Sequence, residues 1–291
     1  MRAYLYLVVV VVLFAGNIVV GKAVADLPPV TVAFMRVAIG LACTAPLFGA
    51  SVWRHRQQLR AAWKALVGLS LSGVTLFNLL LYSALHFTTA ANAAVLEASI
   101  PAFVVLASVA LLGERLAPRQ WLGVAVSLLG GLWVVTGGAP WRVLSMAWNP
   151  GDALMLVAIV AWVVYALLVK RHLVALPAYA GLTVMLAIAT AVLLPCVLIE
   201  WGWRGVPAFW RPERLVGMAY LGVFPSVIAL LLYNRAIALV GASRASIFLS
   251  FLPVATMLEA WLLLGVGAGA AQLVGAGLVM GGVALVIIER T

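Results

Sequence analysis

An arginine and a glutamate, Arg36 and Glu97, stand inside long apolar stretches, in company with Asn17 and Asn78. A charge at the centre of a hydrocarbon layer costs about 2.5–3.5 kcal/mol on insertion scales, so such groups persist only against a partner or a water-filled cavity. Each lies some way in from one end of its own apolar run, at a common depth of roughly 10 Å. Neighbouring runs are traversed in opposite directions, so this coincidence implies one polar layer across several segments. Arg36 and Glu97 are expected to face each other there, as a static brace or as an acid that can release the arginine. Asn78 and Tyr82 are four apart and share one helix face.

Further residues extend the candidate cavity. Trp162 and Tyr165 sit deep in their run, and Tyr233 and Asn234 add a ring and an amide. Tyr233 lies near a run end, where an interfacial anchor is the first reading. Ser246 and Ser250 are four apart, and their hydroxyls serve helix packing as readily as a ligand. The role of Glu259 is open. His55, His86 and His172 stand at run ends or in loops and form no metal or nucleophile set, which argues against an intramembrane enzyme, a metal or a cofactor. No phosphate-binding glycine loop is present, so direct use of ATP is not expected.

The elements that carry these groups follow from composition. The 291 residues are 66% apolar and 9% charged, against about 25% charged in a soluble domain. Charge-free stretches long enough to cross a bilayer run from Ala3 to Gly21, Val37 to Trp53, Ala65 to His86, Gln120 to Trp141, Leu173 to Ile199 and Leu215 to Asn234. Shorter runs at Ala98 to Gly113, Ala153 to Val169 and Ala245 to Leu258 predict three more helices. The run from Ala260 to Ile288 is too long for one crossing, and Gly265, Gly267 and Gly269 divide it. The count is ten transmembrane helices.

The net charge of +10 is spread singly, without the interleaved aromatics of a nucleic-acid surface. With the N-terminus inside, twelve Lys/Arg fall on the inner side and five on the outer, Arg36 lying within a span. This is the positive-inside pattern with both termini cytoplasmic. The first apolar run, followed by Ala23-Val24-Ala25, imitates a cleaved leader but is longer than a leader core, and it is read as a helix of the fold. Cys43 and Cys196 lie within apolar runs and read as packing residues.

The chain is also duplicated. A shift of 152 places Pro101 on Pro253, Leu111-Leu112-Gly113 on Leu263-Leu264-Gly265, Gln120 on Gln272, Gly123 on Gly275 and Gly130 on Gly282, with twelve identities over the 53 positions from Ala84. Near the start of each half the shift is 148, setting Lys22 on Lys170 and Pro29 on Pro177. Five helices per half is an odd number, so the second half enters inverted. The basic loop Gly113 to Arg119 has an uncharged copy in Gly265 to Ala271, as opposite faces would require. The repeats are residues 1–140 and 150–291. The recurring glycines predict a close helix seam between halves or subunits, and Pro101 and Pro253 are candidate hinges.

Leu-Gly-Glu-Arg-Leu at Leu112 to Leu116 with Gln120 and Gly123, and Tyr233-Asn-Arg-Ala-Ile-Ala-Leu-Val-Gly-Ala-Ser-Arg-Ala-Ser246 before Pro253, resemble the EamA-type branch of the drug/metabolite transporter superfamily. The second loop departs from that pattern, having Gly265-Val266 in place of Gly-Glu. The resemblance implies an all-α polytopic transporter of a bacterial-type inner membrane, two inverted five-helix repeats around a central cavity. It further implies export of amino acids or related metabolites, with exporters of aromatic amino acids and of threonine and homoserine as the nearest models. The partners are then a small-molecule substrate and the lipid bilayer, with no nucleic acid; monomer and homo-oligomer both stay open. Under this reading Glu97 competes with substrate for Arg36 in a proton-sensitive manner. The runner-up is a proton-coupled efflux protein for hydrophobic cations; a channel or lipid scramblase and an intramembrane enzyme stand behind it.

Overall fold

In the computed structural model the described residues are 2–112, 117–142, 149–172, 176–240 and 248–287, and among them every regular element is helical. In chain order these are α1 (Arg2–Ala23), α2 (Pro29–Arg54), the short α3 (Arg56–Ala61), α4 (Trp63–Leu85), α5 (Ala90–Ala98), α6 (Ile100–Leu112), α7 (Pro118–Val135), α8 (Pro150–His172) and α9 (Ala178–Arg204). Then follow α10, continuous through Pro212–Val223, Phe224–Ala229 and Leu230–Val240, α11 (Leu252–Leu264) and α12 (Ala270–Ile287). Six helices among the described residues are long and apolar enough to cross a membrane: Ala3–Ala23, Pro29–Arg54, Trp63–Leu85, Pro150–Val169, Ala178–Arg204 and Pro212–Ala236.

Local chemistry sets the helix ends. Pro28 holds an extended backbone just ahead of α2, whose first residue is Pro29, a position where the missing N–H costs nothing. The glycines expected to divide the last apolar run do so: α11 stops at Leu264, and Gly265 takes the left-handed φ of +67° and donates its N–H to Trp261. Gly137 and Gly138, with φ of +61° and +88°, turn the chain after α7. That helix therefore ends at Val135, short of the Trp141 boundary read from hydropathy.

A larger departure concerns the run from Ala98 to Gly113, expected as one helix. It is interrupted at Ser99, between α5 and α6, and a second interruption at Ser250 and Phe251 precedes α11. Each falls just ahead of a proline, Pro101 or Pro253, whose missing N–H leaves a carbonyl one turn earlier without its helical donor. The chain tightens there instead. The N–H groups of Ser99 and Phe251 reach back three residues, to Leu96 at 3.0 Å and Phe248 at 3.1 Å. The residues 99 and 251 are 152 apart, the shift of the sequence repeat.

Apolar side chains occupy both the packed interior and the outward surface. Leu7, Ile18, Leu66, Leu81, Met155 and Leu182 are fully buried, while Leu5, Leu47, Leu122, Val160, Leu198 and Leu262 are exposed. Such a surface suits hydrocarbon as its solvent, since helices satisfy their own backbone groups there. At one end, exposed Trp53 and Trp63 stand beside basic residues, with Arg56 4.9 Å and Lys64 5.8 Å from the ring centroids, as in a headgroup belt. Cys43 is partly buried, but Cys196 is exposed on α9 and does not serve packing. Helix α1 is integral to the bundle, with Leu7, Val10, Ala15 and Ile18 sealed in its core.

The recurring glycines form a seam within the chain, between α7 and α12. A Cβ on Gly130 would stand 2.8 Å from the Val279 nitrogen and 2.9 Å from the Gly275 oxygen; one on Gly282 would stand 2.4 Å from the Ser127 nitrogen and 2.6 Å from the Gly123 oxygen. Backbone meets backbone here, so no side chain can yield. Gly277 on the same helix has open space about it. Gly282→Ala is expected to lower stability by about 1–3 kcal/mol, read as a lower thermal midpoint in detergent, while Gly277→Ala leaves that midpoint in place.

Candidate functional site

Arg36 projects from α2 into the middle of the bundle and is 4% exposed. Its Nε donates to Ser226 Oγ of α10 at 2.9 Å. Its Nη1 donates to Asn17 Oδ1 of α1 at 3.0 Å, to Tyr82 Oη of α4 at 2.6 Å, and to Asn78 Oδ1 of α4. Tyr82 in turn donates its hydroxyl to Asn17 Oδ1 at 2.8 Å. Four of the residues singled out in the sequence, Asn17, Arg36, Asn78 and Tyr82, are thus one hydrogen-bonded cluster. The cradle consists of neutral oxygens, so the guanidinium is solvated by dipoles and meets no carboxylate in direct contact among the described residues.

The helices that supply the cradle are locally widened. Ser70–Leu76 in α4 and Phe224–Ala229 in α10 are π-helical, a geometry that recurs at functional sites. Asn78, just after the first stretch, and Ser226, within the second, bond carbonyls of their own helices. Asn78 donates through Nδ2 to the Gly73 and Val74 carbonyls at 3.2 and 2.9 Å, and Ser226 donates to the Leu221 carbonyl at 2.6 Å. The Asn78 amide is oriented by these bonds, leaving Oδ1 for Arg36. Ser226 was missed in the sequence; a serine next to Pro225 within an otherwise apolar run was the available signal.

Against this polar cluster lies an aromatic box. Trp162 packs on Phe77 at 4.7 Å and Tyr165 at 5.1 Å between centroids, and Phe14 meets Trp162 at 6.4 Å and Tyr233 at 6.2 Å. Phe14 is three residues before Asn17 on α1 and Phe77 directly precedes Asn78 on α4, so box and cluster adjoin. Tyr233 is 8% exposed and belongs to this box. The interfacial-anchor reading of Tyr233 is therefore replaced, because Phe14 and the bundle interior cover its ring. Phe14 and Phe77 carried no sequence signal, being ordinary apolar residues in apolar helices.

Glu97 stands at the end of α5, two residues ahead of the break at Ser99. It is within electrostatic reach of Arg36 and of Tyr82 but makes no ion pair with Arg36, whose Nε and Nη1 are held by the cradle. Glu97 Oε2 is buried without a hydrogen-bond partner, as are Tyr165 Oη, Asn234 Oδ1 and Ser250 Oγ. Buried polar atoms are nearly always paired, so unpaired ones mark places where a water, ion or ligand belongs. Ser250 lies at the second helix break, and its hydroxyl does not bond a neighbouring helix. Ser246 and Gly113 to Leu116 lie outside the described residues.

Beyond the cluster, toward the C-terminal end of α1, the helices are tied together. Lys22 donates to the Leu85 and Thr88 carbonyls at 2.6 and 2.8 Å, Thr88 donates to Asp152 at 2.6 Å, and Asn149 donates to the Phe87 carbonyl at 2.9 Å. Glu200 accepts from the Thr31 backbone N–H at 2.9 Å and hydroxyl at 2.6 Å, and Arg214 pairs with Asp26. These contacts tie the ends of α1, α2, α4, α9 and α10 to one another and to the start of α8.

Comparison with known proteins gives a consistent picture. The profile of the EamA-like transporter family matches the chain twice, over residues 1–136 and 149–288. A protein of Archaeoglobus fulgidus named "Uncharacterized transporter" is 29% identical over 89% of this chain and 88% of its own length. A Streptantibioticus cattleyicolor protein named "Probable terminal-alkyne amino-acid exporter" is 28% identical over 74% of this chain and 70% of its own. One solved crystal structure superposes with a TM-score of 0.64 over 95% of both chains at 20% identity, a likeness of fold.

Gly73 couples the widened stretch of α4 to the aromatic box, since a Cβ there would lie 2.3 Å from Tyr165 Cδ2. Gly73→Ala is expected to displace the Tyr165 ring and to cost about 1–3 kcal/mol, reducing ligand-dependent thermal stabilisation without touching a charged group. Gly131→Ala, where the nearest atom is 3.7 Å away, serves as the silent comparison.

Proposed function

The chain belongs to the EamA-like transporter family, and from that premise we propose that it exports amino acids or related small amphipathic metabolites by alternating access. The observation that carries this reading is the juxtaposition of a buried guanidinium, held by neutral oxygens, with an aromatic box inside a membrane bundle. A cavity of that kind offers one fixed charge for orientation and apolar walls for the rest of the solute. The amino-acid exporter named among the relatives supports the same substrate class.

In this reading the fold is ten transmembrane helices in two inverted repeats about a central cavity, with α5 and α6 as the two halves of one crossing. It resides in a bacterial-type inner membrane with both termini cytoplasmic. Support for inversion comes from the glycine seam. Gly130 meets Gly275 while Gly282 meets Gly123, so α7 and α12 run antiparallel. These helices are copies under the 152 shift, which also exchanges the two contacts. The breaks before Pro101 and Pro253 and the two π-helical stretches lie at corresponding places as well. Paired interruptions of this sort mark the binding level of repeat transporters. Pro101 and Pro253 are then the hinges about which the two faces open in turn.

A second reading is proton-coupled efflux of hydrophobic cations through Glu97, favoured by its unpartnered Oε2. The Arg36 charge in the same layer opposes a cation and weighs against it.

Counterflow in proteoliposomes loaded with unlabelled solute is the direct measurement. Saturable entry of labelled phenylalanine, tyrosine or threonine is the expected result; dye movement without amino-acid exchange would shift the assignment to cation efflux. If the prolines are hinges, Pro101→Ala and Pro253→Ala each slow that exchange several-fold while ligand-induced thermal stabilisation is retained. Full exchange in either variant removes that residue as a hinge.

A further inference from the structure

Arg36 and Glu97 each leave one polar edge unused. The cradle engages Arg36 through Nε and Nη1, whereas Nη2, with two N–H donors, meets no protein acceptor among the described residues. Glu97 Oε2 is buried and likewise unpartnered. Opposite charges in one low-dielectric layer ordinarily close to contact, because each alone is expensive there. Here contact is withheld by construction. Asn17, Asn78, Tyr82 and Ser226 pin the guanidinium from three helices, and α5 ends at Ala98, one residue beyond Glu97.

A solute carrying both a carboxylate and an ammonium fits this arrangement better than a solute carrying either alone. Its carboxylate accepts from the Nη2 donors in a charge-assisted bond, and its ammonium donates to Oε2. A hydrophobic cation would satisfy Glu97 and face Arg36 unscreened; a simple carboxylate would satisfy Arg36 and leave Glu97 as it was. The aromatic box adjoins the cluster through Phe14–Asn17 on α1 and Phe77–Asn78 on α4, so it offers a place for an apolar side chain.

We propose that Arg36 Nη2 and Glu97 Oε2 form a two-point site for a zwitterionic amino acid, binding its α-carboxylate and α-ammonium respectively, with its side chain against Phe14, Phe77, Trp162, Tyr165 and Tyr233. This rests on the carrier reading above and deepens it, assigning each end of the substrate to a residue and making Glu97 the specificity determinant against carboxylates that lack an amino group.

Binding and transport are measured separately on the purified chain. In detergent, thermal stabilisation is titrated with phenylalanine, with 3-phenylpropanoate, which lacks the ammonium, and with phenethylamine, which lacks the carboxylate. Wild-type protein is expected to bind phenylalanine about tenfold or more tightly than either analogue, the loss of one charge-assisted contact. In Glu97→Gln the advantage of phenylalanine over 3-phenylpropanoate disappears, while its advantage over phenethylamine persists. The wild-type comparison needs no variant to fold. Equal binding of phenylalanine and 3-phenylpropanoate by wild type, or unchanged discrimination in Glu97→Gln, overturns the two-point site. Counterflow of labelled phenylalanine with unchanged Glu97→Gln discrimination leaves the carrier reading standing and this site wrong. Selective binding without counterflow does the reverse, and neither binding nor counterflow overturns both.

Discussion

A guanidinium charge held away from bulk water must be solvated by something, and four helices of this bundle meet at that demand. Oxygens from α1, α4 and α10 converge on Arg36, which itself comes from α2. Hydrocarbon offers no substitute for any of them. The relative positions of four helices are therefore coupled to one side chain. The π-helical stretches lie at the same level: Asn78 and Ser226 bond carbonyls of their own helices, Gly73 and Leu221, and also accept from Arg36.

Neutral solvation also leaves the charge of Arg36 in place. A carboxylate in contact with Arg36 would cancel its charge and compete with any anionic solute. Four dipolar acceptors stabilise the charge without cancelling it. Glu97 makes no ion pair with Arg36, and its Oε2 is buried without a partner. The rings of the aromatic box are buried beside the polar cluster, and a low local dielectric strengthens electrostatic contacts.

The close-packed seam and the helix breaks lie in different parts of the fold. The α7–α12 seam is built from backbone against backbone at glycines, with no flexible side chain between, and is suited to a fixed scaffold. The interruptions before Pro101 and Pro253 lie instead next to Glu97 and Ser250, where helical hydrogen bonding is already relaxed. A change of conformation is cheapest where the backbone ladder is incomplete.

Much of this could be read from the chain because a polar residue in an apolar run is costly and therefore conspicuous. Asn17, Arg36, Asn78 and Glu97 stood out on that ground, their common depth following from helix rise, and Tyr82 joined them by lying one turn from Asn78 on the same face. The internal repeat likewise showed in spaced Pro, Gln and Gly identities, and Gly265 announced the turn it makes. What the sequence could not decide was which partner each group takes. A sum over hydropathy has no record of direction, so it suggested Arg36 against Glu97, whereas packing gave Arg36 to neutral oxygens and left Glu97 unpaired. Ser226 differs little from any helix serine until Arg36 is placed against it, and Phe14 and Phe77 differ from lipid-facing residues only by the side of the helix they occupy. Burial cost is a property of single residues and is legible in one dimension; hydrogen-bond and ring partners are pairwise geometry, set only when the helices pack.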